Sequence, residues 1–339
     1  MCWPDSSYQA KGRYIMDITI NRLILHILDT NTAEPVLSDS ELYSDEAVGE
    51  FLSEHISNAC KSDSVKQCAF LEDSSFYGLI ETSGGDFVSF SKLLANRFFE
   101  TMKKNVAIPS GDLIVADLCI DGVPFAGAFK LNYTTAFIHH YSGADGTNSN
   151  SIIRQRTVLP SSSGKPDEFF LLNMDNMSLN VSEKKYEING EKDFYISNLI
   201  LECTQNKSEK DKLTEVKKVA QKALRTHYTD DKTVGAAVSA LITDETDDNV
   251  LEVEKLKERM AEIYPLAKET FANQIEEKNL NEEKIYVAPS SAKKLEKQSI
   301  RTKNGVVINI PTNLMNDGGV EFINNPNGSV SILIKNVYM

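Results

Sequence analysis

An aspartate–glycine pair separates two apolar runs in the first half of this chain. Leu113–Ile120 precedes it, Asp121-Gly122 forms it, and Val123–Leu131 follows. Such a pair accepts the positive φ angles of a two-residue turn whose twist matches that of antiparallel strands, so the segment reads as a β-hairpin. A chain committed to that hairpin has to build a sheet around it. Ile18–Leu28 supplies a partner: it alternates apolar and polar residues, then becomes continuously apolar, the pattern of a half-buried strand.

Between these strands the spacing turns helical. Val48, Phe51, Leu52, His55, Ile56 and Ala59 recur at helical intervals, with Ser44 as the expected cap and Asp45 and Glu46 suited to the positive end of the helix dipole. Phe90, Leu94, Phe98 and Met102 mark a second amphipathic helix to Lys104, with Lys103 and Lys104 in its last turn. Tyr77–Glu81 reads as a short strand ending at Gly84-Gly85. After the hairpin comes an apolar-aromatic segment, Tyr133–Tyr141, then a Gly/Asn/Ser loop from Ser142 to Ser151 and a strand over Ile152–Leu159. Phe169–Leu172 and Lys185–Ile188 are weaker strand candidates.

The composition shifts at Thr204–Lys212, which is polar and compatible with helix. A domain boundary is placed there, giving an N-terminal extension at 1–15, an acidic α+β domain at 16–205, and a helical segment with a basic C-terminal β unit at 206–339. Helices are expected over Leu213–His227, Lys232–Leu241, Val250–Tyr264 and Leu266–Glu277, with Pro265 breaking the last pair. The chain closes on a hairpin whose tip is Asn325-Pro326-Asn327-Gly328. The fold class is therefore α+β: a mixed antiparallel sheet with helices, then a helical segment, then a β-hairpin unit.

Five cysteines at scattered spacings, without a C-x-x-C pair, speak against a disulfide framework or a zinc site and suit a reducing cytoplasm. The most apolar run, Ile18–Leu28, is too short to span a membrane and carries Asn21, Arg22 and His26.

Charge is distributed unevenly. The net charge is −13, yet residues 1–150 hold ten Lys/Arg against twenty Asp/Glu, while residues 291–339 hold six against three. The acidic first half would repel a polyphosphate, so nucleic-acid contact belongs on the later basic segments. Two stand out. From Lys207 to Arg225 there are seven cations against three acids: Lys207, Lys210, Lys217, Lys218, Lys222 and Arg225 are candidate phosphate contacts, opposite an apolar face of Leu213, Val216, Ala220 and Leu224. The second holds Lys293, Lys294, Lys297, Arg301 and Lys303 against Glu296. Cations of this kind neutralise phosphates without reading sequence. Charge alone equally permits solvated faces paired with the acidic helices between them. Neither cluster interleaves Trp or Phe, as a single-strand binder would.

Enzymatic signatures are missing. There is no glycine-rich phosphate loop and no nucleophile elbow, so no catalytic residue, cofactor or metal is expected. His139-His140 are adjacent on a strand and point to opposite faces, one expected buried and the other exposed. His26 reads as a hydrogen-bonded core histidine. The acids Asp244-Glu245 and Asp247-Asp248 read as charges capping a following helix. A two-strand metal-dependent nuclease site could draw on Asp117 and Lys130, but Ala128 stands where its second acid is required.

Several stretches resemble a known family. They are Met16-Asp17-Ile18 through Leu25-His26-Ile27-Leu28, the run Leu37–Leu42, the closing Asn304-Gly305-Val306-Val307-Ile308-Asn309-Ile310-Pro311, and the Asn325–Gly328 hairpin tip. Together they resemble the bacterial nucleoid-associated proteins of the NdpA/YejK type, a diffuse likeness from Met16 to the end with no catalytic motif in it. The resemblance implies a non-enzymatic protein associated with the nucleoid in the cytoplasm. It favours weak, sequence-nonspecific duplex DNA binding through the two basic elements. A homodimer, which would double the phosphate contacts, is the expected assembly. The rival reading is a protein-interaction scaffold, or an accessory subunit of a DNA-topology or anti-phage defence complex, that reaches the nucleoid through a partner.

Overall fold

A computed structural model describes residues 17–43, 45–142, 149–161, 166, 168–228, 234–301, 304–326 and 329–335. These form an α+β protein whose contacts divide it into two compact units, with the break between Asn206 and Lys207.

The first unit runs β1 (Ile18–Leu28), α1 (Glu46–Cys60), β2 (Lys66–Cys68), α2 (Phe76–Ser83), α3 (Phe87–Lys104), β3 (Gly111–Ile120), β4 (Val123–Asn132), β5 (Thr134–Ser142), β6 (Ser149–Val158), β7 (Glu168–Asn173), β8 (Leu179–Ser182), β9 (Lys185–Ile188) and β10 (Glu191–Phe194), then a π-helix over Ile196–Leu201. The expected hairpin is its centre. β3 and β4 pair from Gly111↔Asn132 to Ile120↔Val123, and Asp121 and Gly122 both take positive φ, as the turn requires. β1 adds on one side and β7 on the other, giving an antiparallel six-stranded sheet of order β1-β3-β4-β7-β8-β2.

Alternation sends the two sets of side chains to different cores. Ile24, Leu28, Leu113, Val115, Ala128, Phe170 and Leu172 meet α3 and the π-helix through Leu94, Phe98, Met102, Ile196 and Ile200. Ile114, Ala116, Leu118, Phe129, Phe169 and Leu171 meet α1 through Leu52, Ile56 and Ala59. The π-helix begins on a buried carboxylate: the amides of Ile196 and Ser197 donate to Glu183 Oε2 at 2.9 and 3.1 Å, and Lys66 pairs with Glu183 at 2.7 Å. That carboxylate satisfies amides that a helix start leaves without partners.

The second unit comprises α4 (Glu209–His227), α5 (Val234–Asp244), β11 (Thr246–Asp247), β12 (Val250–Glu252), α6 (Val253–Ile263), a 3-10 turn over Pro265–Ala267, α7 (Lys268–Glu277), β13 (Lys284–Tyr286), α8 (Pro289–Leu295), β14 (Lys297–Arg301), β15 (Val307–Pro311), α9 (Thr312–Asn316), β16 (Val320–Asn324) and β17 (Val330–Ile334). α4 to α7 enclose one core around Val216, Ala220, Leu256, Met260 and Phe271. The closing hairpins β14–β15 and β16–β17 share a smaller one with Ala236 of α5, Ile310 and Met315. The Asn325–Gly328 tip joins β16 to β17 as read, with Asn327 and Gly328 outside the described residues.

Several expectations are corrected. Tyr77–Glu81 lies in helix α2, not a strand; Gly84 takes φ +58° as the left-handed cap of that helix. The cap of α1 is Asp45, whose carboxylate accepts the Val48 amide at 2.9 Å; Ser44 lies outside the described residues. Val250–Glu252 is a strand, so the helix starts three residues later. Asp247 and Asp248 cap nothing: Asp248 and Asn249 form the positive-φ turn between β11 and β12. His139 and His140 are both exposed on the β5–β6 hairpin, which forms a two-stranded sheet of its own. Ser142 belongs to β5 and Ser149–Ser151 to β6, so the ends of the expected Gly/Asn/Ser loop are strand; residues 143–148 and the N-terminal extension at 1–15 lie outside the described residues.

Candidate nucleic-acid interface

Helix α4 carries the first basic element. Ser208 opens it with a capping box: its hydroxyl accepts the Asp211 amide at 3.2 Å, and the Asp211 carboxylate reaches back to Ser208. The apolar stripe is wider than read, with Val219 and Ala223 joining Leu213, Val216, Ala220 and Leu224 in the core.

The width of that stripe sorts the lysines. Lys217 sits at its edge, half-buried, and burial lowers the pKa of its ammonium. Lys207 pairs with Glu215 at 2.5 Å, and Glu215 also holds Lys278 at 2.8 Å. Lys212 is held by Glu209 at 3.2 Å and Glu283 at 2.8 Å. The first half of the helix thus directs much of its positive charge into the unit's own acids. Lys218, Lys222 and Arg225 are exposed and follow one another at i, i+4 and i+7, a single line along the helix. Lys218 and Lys222 make no ion pair with a described residue. The line covers about 10 Å of helix axis, the rise of about three phosphates of one DNA strand. Lys210 is exposed nearer the start.

The second element is split between α8 and β14. Lys293 and Lys294 are exposed in the last turn of α8, where cations suit the negative end of the dipole, and Lys297 is exposed at the start of β14. Arg301 ends β14, its side chain undescribed, and Lys303 lies outside the described residues. α4, α8 and β14 all pack against α5, so one helix supports both elements within one unit.

The nuclease constellation is not assembled. Asp117 Oδ2 accepts two bonds from the Arg22 guanidinium, at 2.9 and 2.6 Å, and Oδ1 accepts one from Asn21 at 3.1 Å. Lys130 is buried against Glu168. In register Asp117 faces Ala126, so Lys130 lies four residues farther along β4, on the order of 13 Å away. Among the described residues no three His, Cys, Asp or Glu side chains are grouped to hold a metal ion.

Sequence patterning gives a strand over Ile152–Leu159 and an apolar-aromatic run over Tyr133–Tyr141 but not their pairing as the β5–β6 hairpin. Phe137, Tyr141 and Ile152 are 71, 59 and 77% exposed on it. Their signal was present as Tyr133–Tyr141, an apolar-aromatic run with no apolar partner assigned to it.

The family of the nucleoid-associated protein YejK matches residues 24–339, nearly the whole chain. The chain belongs to that family. Its membership places it with the nucleoid, in the cytoplasm, and the matched span takes in both basic elements and the exposed hairpin. Comparison with curated proteins finds no match. No described helix is long and apolar enough to cross a membrane.

Proposed function

We propose that this member of the YejK family binds duplex DNA directly, without strong sequence preference, through α4 and the Lys293–Lys303 segment. The observation that carries the reading is the exposed line Lys218, Lys222 and Arg225 in a chain of net charge −13. An acidic protein that keeps a line of cations exposed on one helix has a surface that gains by displacing counterions from a polyanion. Lys293, Lys294 and Lys297 extend it, and Lys210, Arg301 and Lys303 fall in the same two segments. Lys207 and Lys217, engaged or half-buried, contribute less. Contacts of this type address phosphates and carry no sequence information. No catalytic step enters the proposal.

The test is a gel-shift salt titration of purified protein on a random duplex. Affinity should fall steeply as salt rises, and replacing Lys218, Lys222 and Arg225 together by Gln should flatten that fall. Absence of binding at low salt would remove the proposal. It would leave attachment through a protein partner, the reading that the strong net negative charge favours and that a pull-down from nucleoid extracts would then resolve.

A further inference from the structure

Among the described residues the β5–β6 hairpin is a two-stranded sheet with no third strand, and the main contacts of each strand are with the other. A two-stranded ribbon is marginal in water unless something packs on it. Register separates its faces. Phe137, His139 and Tyr141 share one face with their partners Arg154, Ile152 and Asn150; Ile138 and Ile153 oppose each other on the other. Phe137, Ile138, Tyr141, Ile152 and Ile153 are all substantially exposed. Phe137, Tyr141 and Ile152 share the first face and present roughly 400 Å² of apolar area there.

The charge on the ribbon is as one-sided as its polarity. The strand segments 134–142 and 149–158 contain Arg154, Arg156 and no acid. A complementary surface exists on the same unit. Helix α1 exposes Glu46, Glu50 and Glu54, spaced i, i+4 and i+8 on one side, and the almost fully exposed Tyr43 precedes the helix. Within one chain the hairpin and α1 make no substantial contact.

We propose that the hairpin docks on helix α1 of a second copy of this chain, and that the exchange is reciprocal across a two-fold axis. Phe137 and Ile152 cover Tyr43, while Arg154 and Arg156 face Glu46, Glu50 and Glu54. An exchange of this kind closes, because the surface given and the surface received are both on each copy. Two arms and two seats, each contributing one face, bury roughly 1,600 Å², the size of a standard specific interface. The inference is independent of the DNA reading, since its residues lie in the first unit and the basic elements in the second.

Sedimentation velocity of the full chain at micromolar concentrations tests it. The protein should sediment as a dimer. Phe137→Glu with Ile152→Glu should weaken the dimer at least tenfold, with circular dichroism unchanged because both positions are exposed. Arg154→Glu with Arg156→Glu should also dissociate it, and adding Glu46→Lys, Glu50→Lys and Glu54→Lys should restore it. A monomeric wild-type protein would overturn the proposal, as would a dimer indifferent to the arm substitutions. Failure of the charge exchange to restore a dissociated dimer would overturn the pairing with α1. Loss of DNA binding in the arm variants of a monomeric protein would assign the ribbon to nucleic acid instead.

Discussion

Lys130 and Glu168 are direct cross-strand partners on β4 and β7, and their side chains meet at 3.2 Å with neither reaching solvent. Glu168 Oε2 also accepts from Asn132 at 3.1 Å and from the Tyr195 hydroxyl at 3.2 Å. Burial, together with the facing Glu168, pushes the Tyr195 phenol well above its ordinary pKa, so it remains a donor. Lys130 donates in addition to the Pro109 carbonyl at 2.8 Å. A buried charge that loses its partner keeps its desolvation cost and loses the attraction offsetting it. Lys130→Met should therefore destabilise the first unit by about 3–5 kcal/mol. Lys130→Met with Glu168→Leu should cost less than the two single changes added together, since the pair is coupled. Urea denaturation of the three variants checks this, and strictly additive losses would contradict it.

Asp45 gives a smaller effect of a different kind. Its carboxylate satisfies a first-turn amide of α1 that otherwise has no partner in the helix. Asp45→Ala should cost about 1 kcal/mol, whereas Asp45→Asn, an equally good cap, should cost a few tenths. The two unfolding midpoints, measured side by side at neutral pH, separate capping from simple loss of charge.

His26 makes stability depend on pH. The ring is buried on β1, and its Nδ1 accepts the Ser38 amide at 3.1 Å, which leaves the proton on Nε2. Burial first, and the charge of Lys92 second, lower its pKa from 6.5 to about 4. The unfolded chain therefore binds this proton more readily than the folded one. The contribution is fully present above pH 6.5 and is lost as pH falls from there towards 4, with an upper bound of about 3 kcal/mol. His26→Leu should flatten this segment of the stability–pH curve. A curve of unchanged slope between those limits would show that His26 is not its source.

Features written in local chemistry were legible in the sequence; features that depend on what lies opposite were not. Asp121-Gly122 specified its turn because only certain residues accept two positive φ values. Asp248-Asn249 uses the same geometry without a glycine, so it was mistaken for helix-capping charge. Tyr77–Glu81 is too short for its period to distinguish strand from helix, and the left-handed Gly84 that ends the helix resembles any turn glycine. Within the candidate interface, periodicity found the apolar side of α4 but not its width. That width depends on α5 and α7 packing from two directions, and it is what draws Lys217 out of the solvent face. The exposure of His139 and His140 was hidden for the converse reason: an apolar strand pattern implies burial only where something covers it.

That sorting of the lysines leads to a quantitative expectation for DNA binding. Each phosphate neutralised contributes about 0.9 to the slope of log affinity against log salt on duplex DNA. If Lys218, Lys222 and Arg225 each meet one phosphate, replacing all three by Gln should lower the slope by between about two and three. Lys217 is adjacent in sequence and identical in formal charge, but it is half-buried at the edge of the packed face. Lys217→Gln should leave the slope unchanged. A neutralisation series at fixed temperature compares the four positions directly. Equal losses of slope from Lys217→Gln and Lys218→Gln would mean that net charge, and not the exposed line on α4, governs the interaction.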